Sequence, residues 1–286
     1  MVSTTVSPAR SSIGVIGKGF VGTVIADYYR ENGYYVKSFD IKGNCDSLES
    51  VARQDIIFLA IMLPDNGLSK RDKDNLDWTL GLLPPNAIVV IKSTVAPGTT
   101  LSLQREHGQL NLFFSPEFLT EATAREDFRH PPFTILGVTY TSNRVREKLI
   151  NAVLKVLPAS PPDRTFVIGS SEAEMLKMVR NSYLALKLTA FNQIFDVCSK
   201  AGVDYGTVRD ILAKDNWIGD SHNIIWHKGK RGFSGKCLPK DLHCLINFCN
   251  DIGVQAPLFA CAEELNARYL AQRREPADGG GKWLEL

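Results

Sequence analysis

The sequence predicts an α/β fold: a doubly wound, mostly parallel sheet, then one long helix and a helical second domain. Three observations lead there. Short β-branched runs alternate with helical patterns as far as residue 170. The stretch 171–202 then has no internal proline or glycine, and could form one helix about 45 Å long. Beyond it only helical spacing recurs, over 205–214, 239–252 and 258–274.

Each element has a local reason. "SIGVIG" (12–17) is a short apolar strand ending in glycine. "FVGTVIADYYRENG" (20–33) reads as a helix stopped by Asn32-Gly33. "YYVKSFD" (34–40) is a second strand, and "DIIFLAI" (55–61) and "AIVVIKST" (87–94) follow, each preceded by a helical pattern. "LNLFFSPEF" (110–118), "FTILGV" (133–138) and "RTFVIGS" (164–170) complete the strands, with a helix over 143–157. Near-continuous apolar strands alternating with helices imply a parallel sheet covered on both faces. The expected organisation is a loose lead-in over 1–11, an α/β domain over 12–170, a helical domain over 171–275 and a loose tail over 276–286.

Composition excludes several classes. The 286 residues are 44% apolar with a net charge of +2, enough for a sizeable core and unlike a nucleic-acid or membrane surface. No apolar run reaches transmembrane length, and "MVSTTVSPARSS" lacks a signal core. Six cysteines without a Cys-x-x-Cys pair, and five histidines without ligand spacing, suit reduced thiols, a cytoplasmic setting and no metal.

"VIGKGFVG" places Gly17, Gly19 and Gly22 in G-x-G-x-x-G spacing between a strand and a helix. The first glycine permits the turn, the second lets a pyrophosphate approach, and the third lets helix and strand pack. Phe20 and Val21 lie in the first turn, where helix N–H groups face an anion. Asp40 ends the second strand, where a carboxylate accepts ribose hydroxyls and repels a 2′-phosphate. These features predict a Rossmann-like domain binding NAD, with Lys42 weakening the preference over NADP.

"GFSGKCLPKD" (232–241) sets one thiol, Cys237, between a glycine loop and a helix start marked by Pro239. A helix N-terminus with Lys236 and Lys240 nearby would lower a thiol below its reference near 8.5 and favour a thiolate nucleophile. A small buried residue in a turn fits the same pattern. Lys177 and Asn181, four apart on the long helix, could face a developing oxyanion together. The spacing also suits a surface lysine and a capping asparagine. "SPEFLTEATAREDF" (115–128) has Glu117 and Glu121 four apart, and "KSTVAPGTT" (92–100) puts Thr94 in a hydroxyl-rich turn at a strand's carboxyl end.

In chain order, "STVAPGTT", "SPEFLTEATAREDF", "EMLKMVRNSYLALKLTAFNQI" and "GFSGKCLPKD", with the glycine fingerprint, resemble the UDP-glucose/GDP-mannose dehydrogenase family over 12–270. The resemblance implies NAD-dependent, four-electron oxidation of a sugar-nucleotide primary alcohol to a carboxylate. It implies Cys237 as the nucleophile forming a thiohemiacetal and then a thioester, Lys177 stabilising the oxyanion with Asn181, and Asp241 in the base and water network. It also implies Thr94 and Glu117 holding water, Glu121 lining the cofactor and substrate cleft, Gly235 giving close approach to substrate, and Lys240 on the substrate side. A homodimer through the long helix is implied as well.

The departures are specific. Trp217 stands where many relatives carry a substrate-binding arginine, "SG" (Ser234-Gly235) replaces Gly-Gly, and Lys236 replaces a small residue. "MLPDN" (62–66) lacks the usual threonine. The chain is expected to be a short form without the C-terminal nucleotide-binding domain, with a substrate that differs from UDP-glucose or is held differently. Three alternatives stay open: a single-hydride hydroxyacid-type dehydrogenase without thiol chemistry, a non-catalytic homologue that binds NAD or a sugar nucleotide, and a two-electron oxidation that stops at an aldehyde.

Overall fold

A computed structural model describes residues 11–43, 45–63, 70–139, 144–227, 229–235 and 237–272. Residues 1–10 of the expected lead-in over 1–11, the tail over 276–286, Lys236 and most of the "MLPDN" stretch lie outside the described residues. The chain divides into two compact units, Met1–Lys177 and Met178–Leu286.

Unit 1 is a seven-stranded sheet in the order β2-β1-β3-β4-β5-β6-β7. The strands are β1 Ile13–Ile16, β2 Val36–Phe39, β3 Ile56–Leu59, β4 Ile88–Ile91, β5 Asn111–Phe114, β6 Thr134–Val138 and β7 Thr165–Gly169. All pairings are parallel except β5 with β6. The helices of this unit are α1 Phe20–Glu31, α2 Leu48–Ala52, α3 Lys70–Gly81, α4 Thr99–Glu106, α5 Ala124–Arg129, α6 Arg144–Val156 and the start of α7 Ser170–Ala201. α4 and α5 were not expected, because their turns are short and lie inside hydroxyl-rich and acidic segments with little apolar spacing.

Successive strand residues serve opposite faces, as a pleated strand requires. Ile13, Val15, Ile56, Phe58, Val90 and Phe113 join Val24, Ile25 and Tyr29 of α1 and Val153 and Val156 of α6. Ile16, Ile57, Leu59, Val89, Ile91, Leu112 and Phe114 join Leu76 and Leu80 of α3, Leu103 of α4 and Ala173 of α7. Helices cover both faces, which is why these strands read as unbroken apolar runs.

α7 is one unbroken 32-residue helix. Unit 2 takes its later turns with α8 Tyr205–Leu212, α9 Leu238–Asp251 and α10 Pro257–Leu270. One core there holds Ala185, Leu188, Phe233, Leu242 and Ala262, and another holds Phe191, Cys198, Tyr205 and Ile225. Asp204 caps α8 by accepting from the Thr207 N–H at 2.7 Å. No described helix is long and apolar enough to cross a membrane.

Tyr29 ties α1 to α6 in the core, its hydroxyl donating to the Val156 carbonyl at 2.8 Å. Tyr29→Phe leaves that buried carbonyl without its donor. It is expected to lower stability by about 1 kcal/mol, read as a shift in urea midpoint at constant slope.

Candidate active site

Parallel pairing from β2 to β5 brings the carboxyl ends of five strands to one edge of the sheet. Gly17, Asp40, Thr94 and Glu117 all follow strands that end there. Ligands of open α/β sheets bind at this edge, beside the point where strand order reverses.

The glycines differ in what they permit. Gly17 has φ of 93°, and a Cβ there would lie 2.5 Å from the Ala60 carbonyl oxygen. A Cβ on Gly22 would lie 1.7 Å from the Gly17 carbonyl oxygen, so no side chain fits. A Cβ on Gly19 would meet nothing within 4 Å, leaving open space above the turn. Gly19 is the N-cap of α1 and offers no side chain, so the N–H groups of Phe20, Val21 and Gly22 face outward from the helix start. Asp40 Oδ1 accepts from the Lys42 N–H at 2.9 Å and Oδ2 from the Lys18 N–H at 2.6 Å. The Lys42 bond is the main cause that holds this carboxyl below its usual range against partial burial. Each oxygen keeps a lone pair for a hydroxyl. These residues fit a dinucleotide, with Gly17, Gly19 and the α1 start at the pyrophosphate and Asp40 at a ribose.

Beside that edge lies a buried set of charges, all in unit 1. Lys177 Nζ donates to Glu117 Oε1 at 2.9 Å and to the Glu117 carbonyl at 2.6 Å. Its side chain is 4% exposed, and the ammonium lies 5.3 Å from the centre of the Phe118 ring. Burial alone would raise the Glu117 carboxyl, but the charge of Lys177 and the Leu119 N–H outweigh it and hold it below its usual range. Glu121, four residues on, is exposed, because 115–120 is irregular chain and does not set the two carboxylates on one helix face. Thr94 is half-buried in the loop after β4.

Two members of this region escaped the sequence reading. Lys92, at the end of β4, is buried and donates to Ser115 Oγ at 2.8 Å. Burial pushes its amine down to about 7, with Glu117 opposing and Lys177 reinforcing. Glu174, one turn before Lys177, accepts from the Gly98 N–H at 2.6 Å, the Thr100 N–H at 2.8 Å and the Thr100 hydroxyl at 2.5 Å. Burial pushes its carboxyl up to about 7 against these donors. A lysine closing an apolar strand run was the available signal for the first. For the second there was only an acid preceding Lys177 on the same helix.

Unit 2 carries the other residues. Asn181 Nδ2 donates to Asp241 Oδ2 at 2.6 Å, and Lys240 Nζ lies 2.8 Å from Asp241 Oδ1. Asp241 is wholly buried in the first turn of α9. Cys237 is the N-cap residue of that helix and is partly exposed as a residue, and its carbonyl accepts from the Asp241 N–H at 2.8 Å. The ammonium of Lys240, expected beside the thiol, is engaged by Asp241. Gly235 has φ of 84° and open space at its Cβ position. Trp217 is 96% exposed in the turn after α8. Among the described residues, no group of three His, Cys, Asp or Glu side chains is placed to hold a metal.

The two titrating groups have opposite effects on stability. For Lys92 the folded value lies below the ordinary 10.5, so the unfolded chain binds more protons and stability rises with pH from about 7 to 10.5. For Glu174 the folded value is raised, so its contribution is present below 4.5 and is lost as pH rises to about 7. Lys92→Met is expected to remove the rise and Glu174→Gln the fall, each read from urea unfolding across its own pH window.

The sequence matches the models of the UDP-glucose/GDP-mannose dehydrogenase family, with the NAD binding domain over residues 37–155 and the central domain over 171–268. It is 30% identical to the UDP-glucose 6-dehydrogenase AglM of Haloferax volcanii, over 94% of this chain and 74% of that protein. It is 26% identical to the UDP-glucose 6-dehydrogenase of Pseudomonas aeruginosa, over 89% of this chain and 65% of that protein's length. Among solved structures, a UDP-glucose dehydrogenase from Pyrobaculum islandicum shares the fold with a TM-score of 0.75 at 24% identity, covering 94% of this chain and 70% of that one. With both domain models matched and a relative 30% identical over most of its length, the chain belongs to the UDP-glucose/GDP-mannose dehydrogenase family.

Proposed function

We propose that this chain oxidises the primary alcohol of a sugar nucleotide to the carboxylate, through a covalent intermediate on Cys237. The observation that carries the reading is Cys237 at the N-cap of α9, with the buried Asp241 one turn further on, held by Asn181 and Lys240. A cysteine at a helix start supports this reading, because the N–H groups there would favour the thiolate that attacks. Bound NAD would supply the hydride acceptor for both oxidations.

Cys237 Sγ would add to the aldehyde carbon and form a thiohemiacetal, whose oxidation leaves a thioester. Water attacks the thioester carbonyl, the C–S bond breaks, and the thiolate returns. The balance is one alcohol and one water consumed, four electrons leaving as two hydrides, and three protons released at neutral pH. Lys177 and Asn181 are assigned to the oxyanion, where positioned donors stabilise charge that grows in the transition state. Lys177 would exchange one of its Glu117 contacts for that oxygen. Asp241 and Glu117 are assigned to proton handling, with Thr94 holding water and Glu121, Gly235, Lys240 and Trp217 on the substrate side. A chain of this length needs no disulfide staples, and its six cysteines form no Cys-x-x-Cys pair, which suits a reducing cytoplasm.

The test is NADH formed per substrate consumed over a panel of UDP-, GDP- and dTDP-sugars, with Cys237→Ser alongside. Two NADH per substrate, lost in the variant, are expected, and the active sugar names the substrate. One NADH that is insensitive to Cys237 would replace this reading with simple alcohol dehydrogenation. NAD binding without turnover of any of these sugars would replace it with a binding role. Normal, specific turnover of UDP-glucose would overturn the expected change of substrate.

We also propose a homodimer through α7. Leu176, Val179 and Tyr183, at i, i+3 and i+7 along one side of the helix, are exposed by 37%, 44% and 60%. Sedimentation of the full chain is expected to give a dimer that Tyr183→Glu dissociates, and a monomeric parent would overturn this assignment.

A further inference from the structure

The loop from Arg231 to Cys237 contains Gly232 and Gly235, both at positive φ. Such a backbone does not choose one conformation by itself. Its first three residues are nevertheless fixed in unit 2 by an unusually complete set of contacts.

Arg231 is 4% exposed. Its guanidinium carbon lies 5.0 Å from the centre of the Phe195 ring and 4.7 Å from that of Tyr269. Nε donates to Asn192 Oδ1 at 3.2 Å and Nη2 to the Asn192 carbonyl at 2.8 Å. Nη1 donates to Asp196 Oδ1 at 2.6 Å and to Gln272 Oε1 at 2.7 Å. A planar fork between two rings is a geometry that only arginine supplies.

The grip continues along the backbone. The Gly232 N–H donates to Asn192 Oδ1 at 3.3 Å, and a Cβ on Gly232 would lie 2.4 Å from Asn266 Oδ1. Asn266 then pairs with both sides of Phe233, accepting from its N–H at 2.7 Å and donating to its carbonyl at 2.9 Å. The Phe233 ring is buried among Ala185, Leu188, Leu242 and Ala262. Beyond the thiol, the Asn181–Asp241 bond fixes the first turn of α9. The chain is therefore held on both sides of Cys237, and the upstream hold uses none of the residues assigned to chemistry.

We propose that Arg231, acting with Asn192 and Asn266, is a positioning residue that keeps the Cys237 thiol at the start of α9. This rests on the reading of Cys237 as the nucleophile. Loosening the clamp lets the loop carry the thiol away from the helix N–H groups, so its reactivity falls while the fold persists.

The test compares the full chain with Arg231→Lys, which loses the fork, and Asn266→Asp, which keeps the acceptor for Phe233 but loses the donor. Each is treated with iodoacetamide at neutral pH, and alkylation of Cys237 is resolved by peptide mass spectrometry against the exposed Cys261 as internal reference. Urea unfolding establishes that each variant is folded. The expected result is an about tenfold slower alkylation of Cys237 relative to Cys261 in both variants, with kcat falling in parallel and the KM for NAD unchanged. A folded variant that alkylates Cys237 at the parental rate or faster overturns the proposal. If Arg231→Lys does not fold, Asn266→Asp decides alone. The alkylation ratio needs no substrate, so it tests positioning even if Cys237→Ser retains NADH formation and the nucleophile reading fails.

Discussion

An ammonium group sealed from water either meets an opposite charge or gives up its proton, and Lys177 meets Glu117 at 2.9 Å. Desolvation makes such a pair a poor source of stability compared with apolar packing, yet removing one partner typically costs about 3–5 kcal/mol. The pair therefore acts as a register constraint within unit 1. It fixes the first turns of α7 to the chain leaving β5, since both the carboxylate and the carbonyl of Glu117 accept from the same ammonium. Glu174 adds a second tie from α7 to the start of α4. α7 cannot slide by a turn along the sheet without stranding both carboxylates.

That constraint has meaning because the sheet has already gathered its carboxyl ends. Parallel β-α-β connections require a crossover for each strand, and the loops leaving the strands collect at one edge. The glycine turn, Asp40, Thr94 and Glu117 are far apart in the chain and come to that edge for the same topological reason. Lys92 joins them by burial. Its amine is lowered to about 7 chiefly by burial, with the charge of Glu117 opposing, while its own hydrogen bond goes to Ser115 and that of Lys177 to Glu117. Sites that handle protons at neutral pH are commonly built from groups moved away from their ordinary values in this way.

Unit 2 solves a different problem. A thiol on a glycine loop gains close approach and loses definition, because glycine admits many backbone states. The definition is restored by side chains from neighbouring helices: Asn192 of α7, Asn266 of α10, and the ring pair around Arg231. Asp241, in the turn that follows the thiol, completes the arrangement by accepting from Asn181 of α7 and pairing with Lys240. Stiffness thus comes from outside the loop, which leaves its own backbone open at Gly235.

The sequence by itself determined the features that depend on neighbours along the chain. Strand and helix alternation, the stop at Asn32-Gly33, the unbroken α7 and the helix start at Cys237 follow from local spacing, capping and φ requirements. The glycine turn was legible because each glycine answers a steric demand within a few residues. Tertiary structure decided which polar groups are buried and whom they meet. Lys177 finds Glu117 across 60 positions, Glu174 finds Thr100 across 74, and Arg231 finds Asn192 across 39. Nothing local distinguishes Arg231 from a surface cation, Lys92 is marked only by closing an apolar strand run, and irregular chain leaves Glu121 exposed while Glu117 is buried. Burial and partnership are properties of the packed fold, and for these residues they set charge state and orientation, while the local pattern had supplied only the chemical groups.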